Sequence, residues 1–311
     1  MSREPRSRDP QDVQARPSRR VIRPRQPTPS RTREDTKLAE QPDLGHERSD
    51  VREQRPRAGE WSDSPRAYYL RDRAYLLRDS EVESLRAIGT FRVIRVSDLA
   101  KYAYPGSRAR ADKDIRRLAQ QSLVTDRTVE ISRKRTLRIV TLTKTGHRLL
   151  KNTNRVRDDQ PTYHGLVKPR EVKHDADLYR LYQKESARIA RSGGRPTRVL
   201  LDYELKRNLN RDLALLGPDK DDPDRKAEVA EKHHLQVVSG KIPVPDLRIE
   251  YETPELELRR SDLELATRDY RPRAMAEKAA AGFSFYGRSE DAPRLRRVLG
   301  EREITAEILS L

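Results

Sequence analysis

The sequence predicts an α+β chain: a long polar tail, a three-helix unit that ends in a β-ribbon, and a mixed-sheet α/β part. Three observations carry this. Helical periodicity and breakers alternate between residues 79 and 120. Apolar and polar residues alternate from Leu137 to Leu142 and again in 243–252 and 262–267. Residues 1–62 are dominated by Arg, Pro, Ser, Gln and Asp, too polar to offset the entropy of ordering, so they should be disordered.

After the tail, Tyr68, Leu70, Tyr75 and Leu76 suggest a short leading helix. The spacing of Val82, Leu85 and Ile88 predicts a first amphipathic helix from Ser80. A short second helix follows at 97–102, with Leu99 and Tyr102 inward. Pro105-Gly106 breaks it, because proline lacks the amide hydrogen and glycine allows the turn. A third helix starts near Ser107, a candidate N-cap, and turns Ile115 and Leu118 inward. Its other side carries Arg108, Arg110, Lys113, Arg116 and Arg117. The ribbon spans 125–142 with Arg133, Lys134 and Arg135 at its tip, and Thr143 caps a closing helix. Helix, helix, helix and basic ribbon in this order form a winged helix-turn-helix over residues 63–157. Such a unit docks on duplex DNA by placing its third helix in the major groove and its wing on flanking phosphate.

Charge agrees with this reading. The chain has a formal charge of +17 and contains no cysteine. Residues 61–160 hold 23 Lys and Arg against 12 Asp and Glu, whereas residues 161–311 hold 29 against 27. A polyanionic partner is thus expected at the helix–ribbon unit. Without cysteine there are no disulfides or thiolate zinc sites. No apolar run is long enough to span a bilayer and no amino-terminal signal-like segment is present, so a cytoplasmic, nucleoid- or plasmid-associated protein is expected. Phosphate-binding glycine loops, nucleophile elbows and dinucleotide fingerprints are also missing from the sequence.

A hinge is expected at 158–162, and the second part should occupy 163–311. A helix with His174, Leu178, Leu181, Tyr182 and Ile189 along one stripe stops at Ser192-Gly193-Gly194. On that stripe His174 reads as a hydrogen-bonded packing residue. A strand at 197–201 follows, and the polar stretch 208–226 reads as an exposed acidic loop. His147 and the adjacent pair His233 and His234 make poor metal ligands. The two alternating segments 243–252 and 262–267 form a hairpin, which brings Asp246 and Glu264 together. Two converging carboxylates can bind Mg²⁺ or Mn²⁺, and Lys278 on the next helix can add positive charge there.

The order of these features resembles the replication-relaxation family of bacterial plasmids and integrative elements. The likeness spans about residues 65–290. It rests on the winged helix, His174-Asp175-Ala176-Asp177, the strand ending near Glu204, Pro245-Asp246, the acidic strand ending at Thr267, Lys278 and Tyr286. It implies a second domain similar to the PD-(D/E)XK nuclease fold, a mixed sheet flanked by helices. Asp246 and Glu264 would then be metal-binding acids, with Glu204 or Glu185 as a further one. The nuclease pattern places a lysine two residues after its second acid, where this chain has Ala266. Lys278 is the candidate for that missing charge. The sequence therefore admits three functions. The first is a duplex-DNA-binding accessory protein in replication, mobilisation or regulation of a mobile element, requiring no cofactor. The second is a metal-dependent nicking endonuclease using Asp246, Glu264 and Lys278. The third is a transcription regulator. Partners would be double-stranded DNA, a second copy of the chain, and replication or mobilisation proteins.

Overall fold

The computed structural model describes residues 64–132, 135–166, 168–267, 270–288, 290–301 and 308–311. The tail at 1–62 and the ribbon-tip residues Arg133 and Lys134 lie outside the described residues.

The chain enters through an antiparallel hairpin, β1 (Arg66–Leu70) and β2 (Arg73–Leu77), rather than the leading helix that Tyr68 to Leu76 suggested. Tyr75 and Leu77 are buried while Ala74 and Leu76 are exposed, a period of two that fits a strand and not a helix. Arg71 makes the turn in the left-handed region at φ 53°.

Three helices follow: α1 (Asp79–Phe91), α2 (Val96–Ala103) and α3 (Arg108–Gln120). A short strand, β3 (Ile94–Arg95), separates the first two. Then come β4 (Val124–Ser132), β5 (Arg135–Leu142) and α4 (Lys144–Lys151). The sheet order is β3-β5-β4, antiparallel throughout. Leu85, Ile88, Leu99, Ile115, Leu118 and Leu142 are fully buried, so the apolar spacing in the sequence corresponds to the core face. Ser107 occupies the N-cap of α3, but its side chain makes no capping hydrogen bond. Thr143 does cap α4, accepting from the Gly146 amide at 3.0 Å.

The second half begins with α5 (Pro169–Arg191), which ends at Ser192 with Gly193 at φ 79°. A five-stranded mixed sheet follows, in the order β10-β9-β8-β7-β6. Its strands are β6 (Arg195–Leu201), β7 (Leu247–Glu252), β8 (Leu258–Ala266), β9 (Ser284–Gly287) and β10 (Ile308–Ser310). Only β7 opposes its neighbours: β6–β7 and β7–β8 are antiparallel, β8–β9 and β9–β10 parallel. Helix α8 (Pro272–Ala280) makes the crossover between the parallel β8 and β9, and α9 (Ala292–Glu301) precedes β10.

The stretch 208–226 is not a loop. Helix α6 (Asp202–Leu215) runs through its start, and α7 (Pro223–Lys232) begins within it after a 3-10 turn at Gly217–Asp221. Asp222 accepts from the amides of Asp224 and Arg225, and Pro223 sits at the first helical position. Asp222 is therefore a helix cap.

The two halves share one core. Phe91 of α1 packs edge-on to Tyr179 of α5 at 5.2 Å and lies 5.0 Å from Tyr182. Arg95 reaches Asp177 at 2.6 Å and Asp98 at 3.1 Å, Arg180 reaches Asp98 at 2.9 Å, and Arg288 pairs with Asp177. Asp177 is buried, so removing one partner costs about 3–5 kcal/mol. Packing by α5 also explains why Ile139, Val140, Thr141 and Leu142 are all buried, where alternation predicted one covered face. Ile139 packs against Val172 and Ala176 on α5, while Val140 and Leu142 join the core of α1 to α4. The expected hinge is fastened as well. The Gln160 side chain donates to the Val199 carbonyl and accepts from the Val199 amide, both at 2.8 Å, so it satisfies part of the open edge of β6.

Candidate functional sites

Two candidate sites emerge, one on α3 and the ribbon, the other at the end of the mixed sheet. On α3, the buried residues Ala111, Asp114, Ile115 and Leu118 fix which side faces outward. Arg108, Ala109, Lys113, Arg116 and Gln120 are exposed. Arg110 and Arg117 are only half-exposed. Arg117 pairs with the buried Glu81 of α1 at 3.2 Å, so it braces the helix from behind. Arg116 donates to the Asp112 carbonyl within its own helix and keeps an exposed guanidinium. Arg135 is exposed at the base of the ribbon tip.

A buried polar cluster holds α3 in place. Asp114 accepts from Ser80 at 2.6 Å, from Tyr104 at 3.2 Å and from Arg78 at 3.3 Å. Burial, with the charge of Asp114 beside it, raises the pKa of Glu81 against a lowering hydrogen bond from the Arg78 amide. This network ties α1, the end of α2 and α3 together, so the exposed strip of α3 has a fixed orientation.

At the second site, the β7–β8 register pairs Leu247 with Leu263, so the preceding residue Asp246 lies beside Glu264. Asp246 accepts from the Leu265 amide at 3.0 Å, and His174 Nε2 lies 3.3 Å from its Oδ2. Glu264 Oε1 accepts from Lys278 Nζ and from the Tyr270 hydroxyl, each at 2.5 Å. Its other oxygen, Oε2, is buried without a hydrogen-bond partner. Burial and the nearby Asp246 charge push Glu264 up to about 7, despite Lys278. Burial opposes ionisation of Asp246 too, but the bond from His174 and the charges of His174 and Lys278 hold it below the usual range. Burial should lower His174, yet the bonds to Asp175 and Asp246 outweigh it and raise it to about 10. A histidine with both ring nitrogens facing carboxylates must donate from both, which is the charged form.

The structure thus brings together Asp246, Glu264 and Lys278. Ala266, where the pattern had placed a lysine, is fully buried among Met275, Phe285 and Leu295, an environment that an ammonium would not tolerate. Helix α8 delivers the amine to the same carboxylate instead. Glu204 is not part of this group: on α6 it is held by Arg207 and by Asn208 at 3.4 Å. Glu185 is satisfied between α5 and the sheet by Ser261, Tyr286 and Arg188. Among the described residues, no group of three or more His, Cys, Asp or Glu side chains is arranged to hold a metal ion.

Its periodicity made His174 legible as a packing residue, the family resemblance included it beside Asp175 without a role, and Tyr270 carried no signal at all. The signal for His174 lay in its position at the start of a helix, next to Asp175. Of the remaining histidines, His147 bonds to Thr162 and lies 4.9 Å from His164 with the rings tilted by 44°, and His233 bonds to Asp212 at 3.0 Å. Among the described residues, no helix is long and apolar enough to cross a membrane.

Comparison with known proteins adds little. No family model matches the chain, and no curated protein matches it. Among solved structures, the chain is similar to Bacillus subtilis PadR in complex with operator DNA. The identity is 14%, over 49% of this chain and 90% of that one, with a TM-score of 0.21. At that score the likeness carries no argument, and the functional reading rests on the residues described above.

Proposed function

We propose that this protein docks on duplex DNA through a winged helix formed by α1 to α3 and the β4–β5 ribbon. The observation that carries the reading is the exposed strip Arg108, Lys113 and Arg116 on a helix whose inward side is fixed by the core. A helix of this width enters the major groove, and its guanidinium and ammonium groups reach base edges and phosphates there. Arg135 lies on the ribbon that would follow the flanking backbone. The biological setting follows the family resemblance: an accessory role in replication, mobilisation or regulation of a plasmid, phage or integrative element.

A second reading, metal-dependent nicking, is favoured by one specific observation. Lys278 reaches Glu264 beside Asp246, and Glu264 Oε2 is a buried acceptor with no donor. A magnesium ion is commonly held by one or two carboxylates together with phosphate and water, so this pair fits such an ion. Asp246 and Glu264 would hold it, and when bound it would supply charge neutralisation at a scissile phosphate. Lys278 holds positive charge at Glu264, Tyr270 donates to the same oxygen, and His174 and the Leu265 amide orient Asp246. The mixed sheet supports this reading only coarsely, since the PD-(D/E)XK resemblance implies a mixed sheet flanked by helices.

One experiment separates the two. Purified protein is incubated with supercoiled plasmid in Mg²⁺, Mn²⁺ or EDTA, beside Asp246→Ala/Glu264→Ala. Retarded but intact plasmid in every lane supports DNA docking alone. Nicking that needs metal and disappears in the double variant makes the protein an endonuclease. No retardation in any lane refutes the docking proposal. A transcription regulator would differ by binding as a dimer to a half-site repeat.

A further inference from the structure

The arginine that connects the ribbon to α3 has no assigned part in DNA contact. Arg138 projects from β5 and spans two elements. It makes a fork to Asp126 on β4, with Nε at 3.0 Å from Oδ1 and Nη2 at 2.6 Å from Oδ2. Its other terminal nitrogen, Nη1, reaches Asp112 on α3 at 2.6 Å. In the ladder Arg138 faces Thr128 and Asp126 faces Val140, so the ion pair is the diagonal contact across two strands. Asp112 stands on α3 four residues before Arg116 and next to Lys113, at the margin of the exposed strip.

We propose that Arg138 is a positioning residue that fixes the angle of the ribbon to α3, so that both basic elements meet one duplex together. This rests on the docking reading above. The ribbon needs such a clamp. Strand β4 is the outer strand of its sheet, and its pairing with β5 slips between Glu130 and Ser132. A register slip disrupts the ladder locally at that point. The base of the ribbon is held by apolar packing, but that packing ends at the half-buried Leu137. Arg138 is the next residue inward and lies on the opposite face of the ribbon from Val129 and Leu137, which pack with Val172 and Ala176 of α5, so it holds the face turned to α3. A planar guanidinium with two carboxylates on two of its edges is geometrically stiff, whereas a lysine ammonium can bridge two carboxylates but imposes no plane or fixed angle on them. The hydrogen bonds to Asp126 stabilise the charged form of Arg138, against the cost of its partial burial.

The test is footprinting of the full chain on a binding duplex. Major-groove methylation interference reports α3, and hydroxyl-radical protection of the flanking backbone reports the ribbon. Arg138→Ala should retain the major-groove signal and lose the flanking protection, with affinity lower on the order of tenfold. Asp112→Asn/Asp126→Asn should lose the same flanking protection, although it makes the surface more positive by two charges. Arg138→Lys should restore part of it. The pairs are partly exposed, so thermal unfolding of each variant should stay close to that of the wild type. If Asp112→Asn/Asp126→Asn keeps the flanking protection and binds more tightly, Arg138 is a phosphate contact and the clamp is refuted. If Arg138→Ala leaves both signals unchanged, the clamp is refuted as well. If the wild type gives no footprint on any duplex, it is the docking reading that fails.

Discussion

Replacing Arg108, Lys113 and Arg116 together by alanine tests the docking geometry most directly. All three are exposed on the outward side of α3, and none contributes to the core. Each phosphate neutralised by a cation adds about 0.9 to the slope of log affinity against log salt on B-DNA, so losing three lowers the slope by about 2.7. Between 50 and 200 mM salt, a fourfold change, that difference amounts to roughly 40-fold in relative affinity. Fluorescence anisotropy with a labelled duplex at four or five salt concentrations measures it. The control is Arg117→Ala. Arg117 pairs with the buried Glu81, so its loss should lower the melting temperature and leave the salt slope nearly unchanged. A triple variant with the wild-type slope, or an Arg117 variant that accounts for most of the slope, would refute the assignment of the DNA-facing side.

Three further outcomes follow from local geometry. Gly146 sits where a Cβ would lie 2.0 Å from the Leu123 carbonyl oxygen, so Gly146→Ala must push α4 away from the backbone that leads into β4. A cost of about 3 kcal/mol, or roughly 6–12 °C in melting temperature, is expected by calorimetry. Arg248 is buried and donates to Asp262 and to the carbonyls of His233 and His234. Arg248→Met should destabilise by about 3–5 kcal/mol in urea unfolding, because it strands a carboxylate and two carbonyls. Burial and the Asp246 charge raise Glu264 from 4.5 to about 7, so the folded chain holds that proton more tightly than the unfolded chain. The resulting stability is full below 4.5 and is lost as pH rises through about 7. Glu264→Gln does not titrate, so the wild-type advantage over it should shrink across that window in urea midpoints. Parallel pH profiles would contradict the placement of Glu264.

The sequence by itself determined the helix–ribbon order between 79 and 151, the α5 stop at Gly193, the 247–266 hairpin and the meeting of Asp246 with Glu264. These are set by short-range rules: apolar period, turn residues and strand register. Tertiary structure decided the rest. Tyr68 to Leu77 became a hairpin because its alternating side chains found a core to cover. The segment 208–226 became helical because Asp222 capped α7 and Val229 and Ala230 packed with Leu209. Arg117 was placed against Glu81, and His174 against Asp246. Lys278 is 14 residues from Glu264, and Arg138 is 26 from Asp112. Spacing along the chain says which residues share a helix face or a strand face, but it says nothing of which charge will lie against which. That depends on how separately formed elements pack, where one buried carboxylate selects its cation from all those that the fold brings within reach.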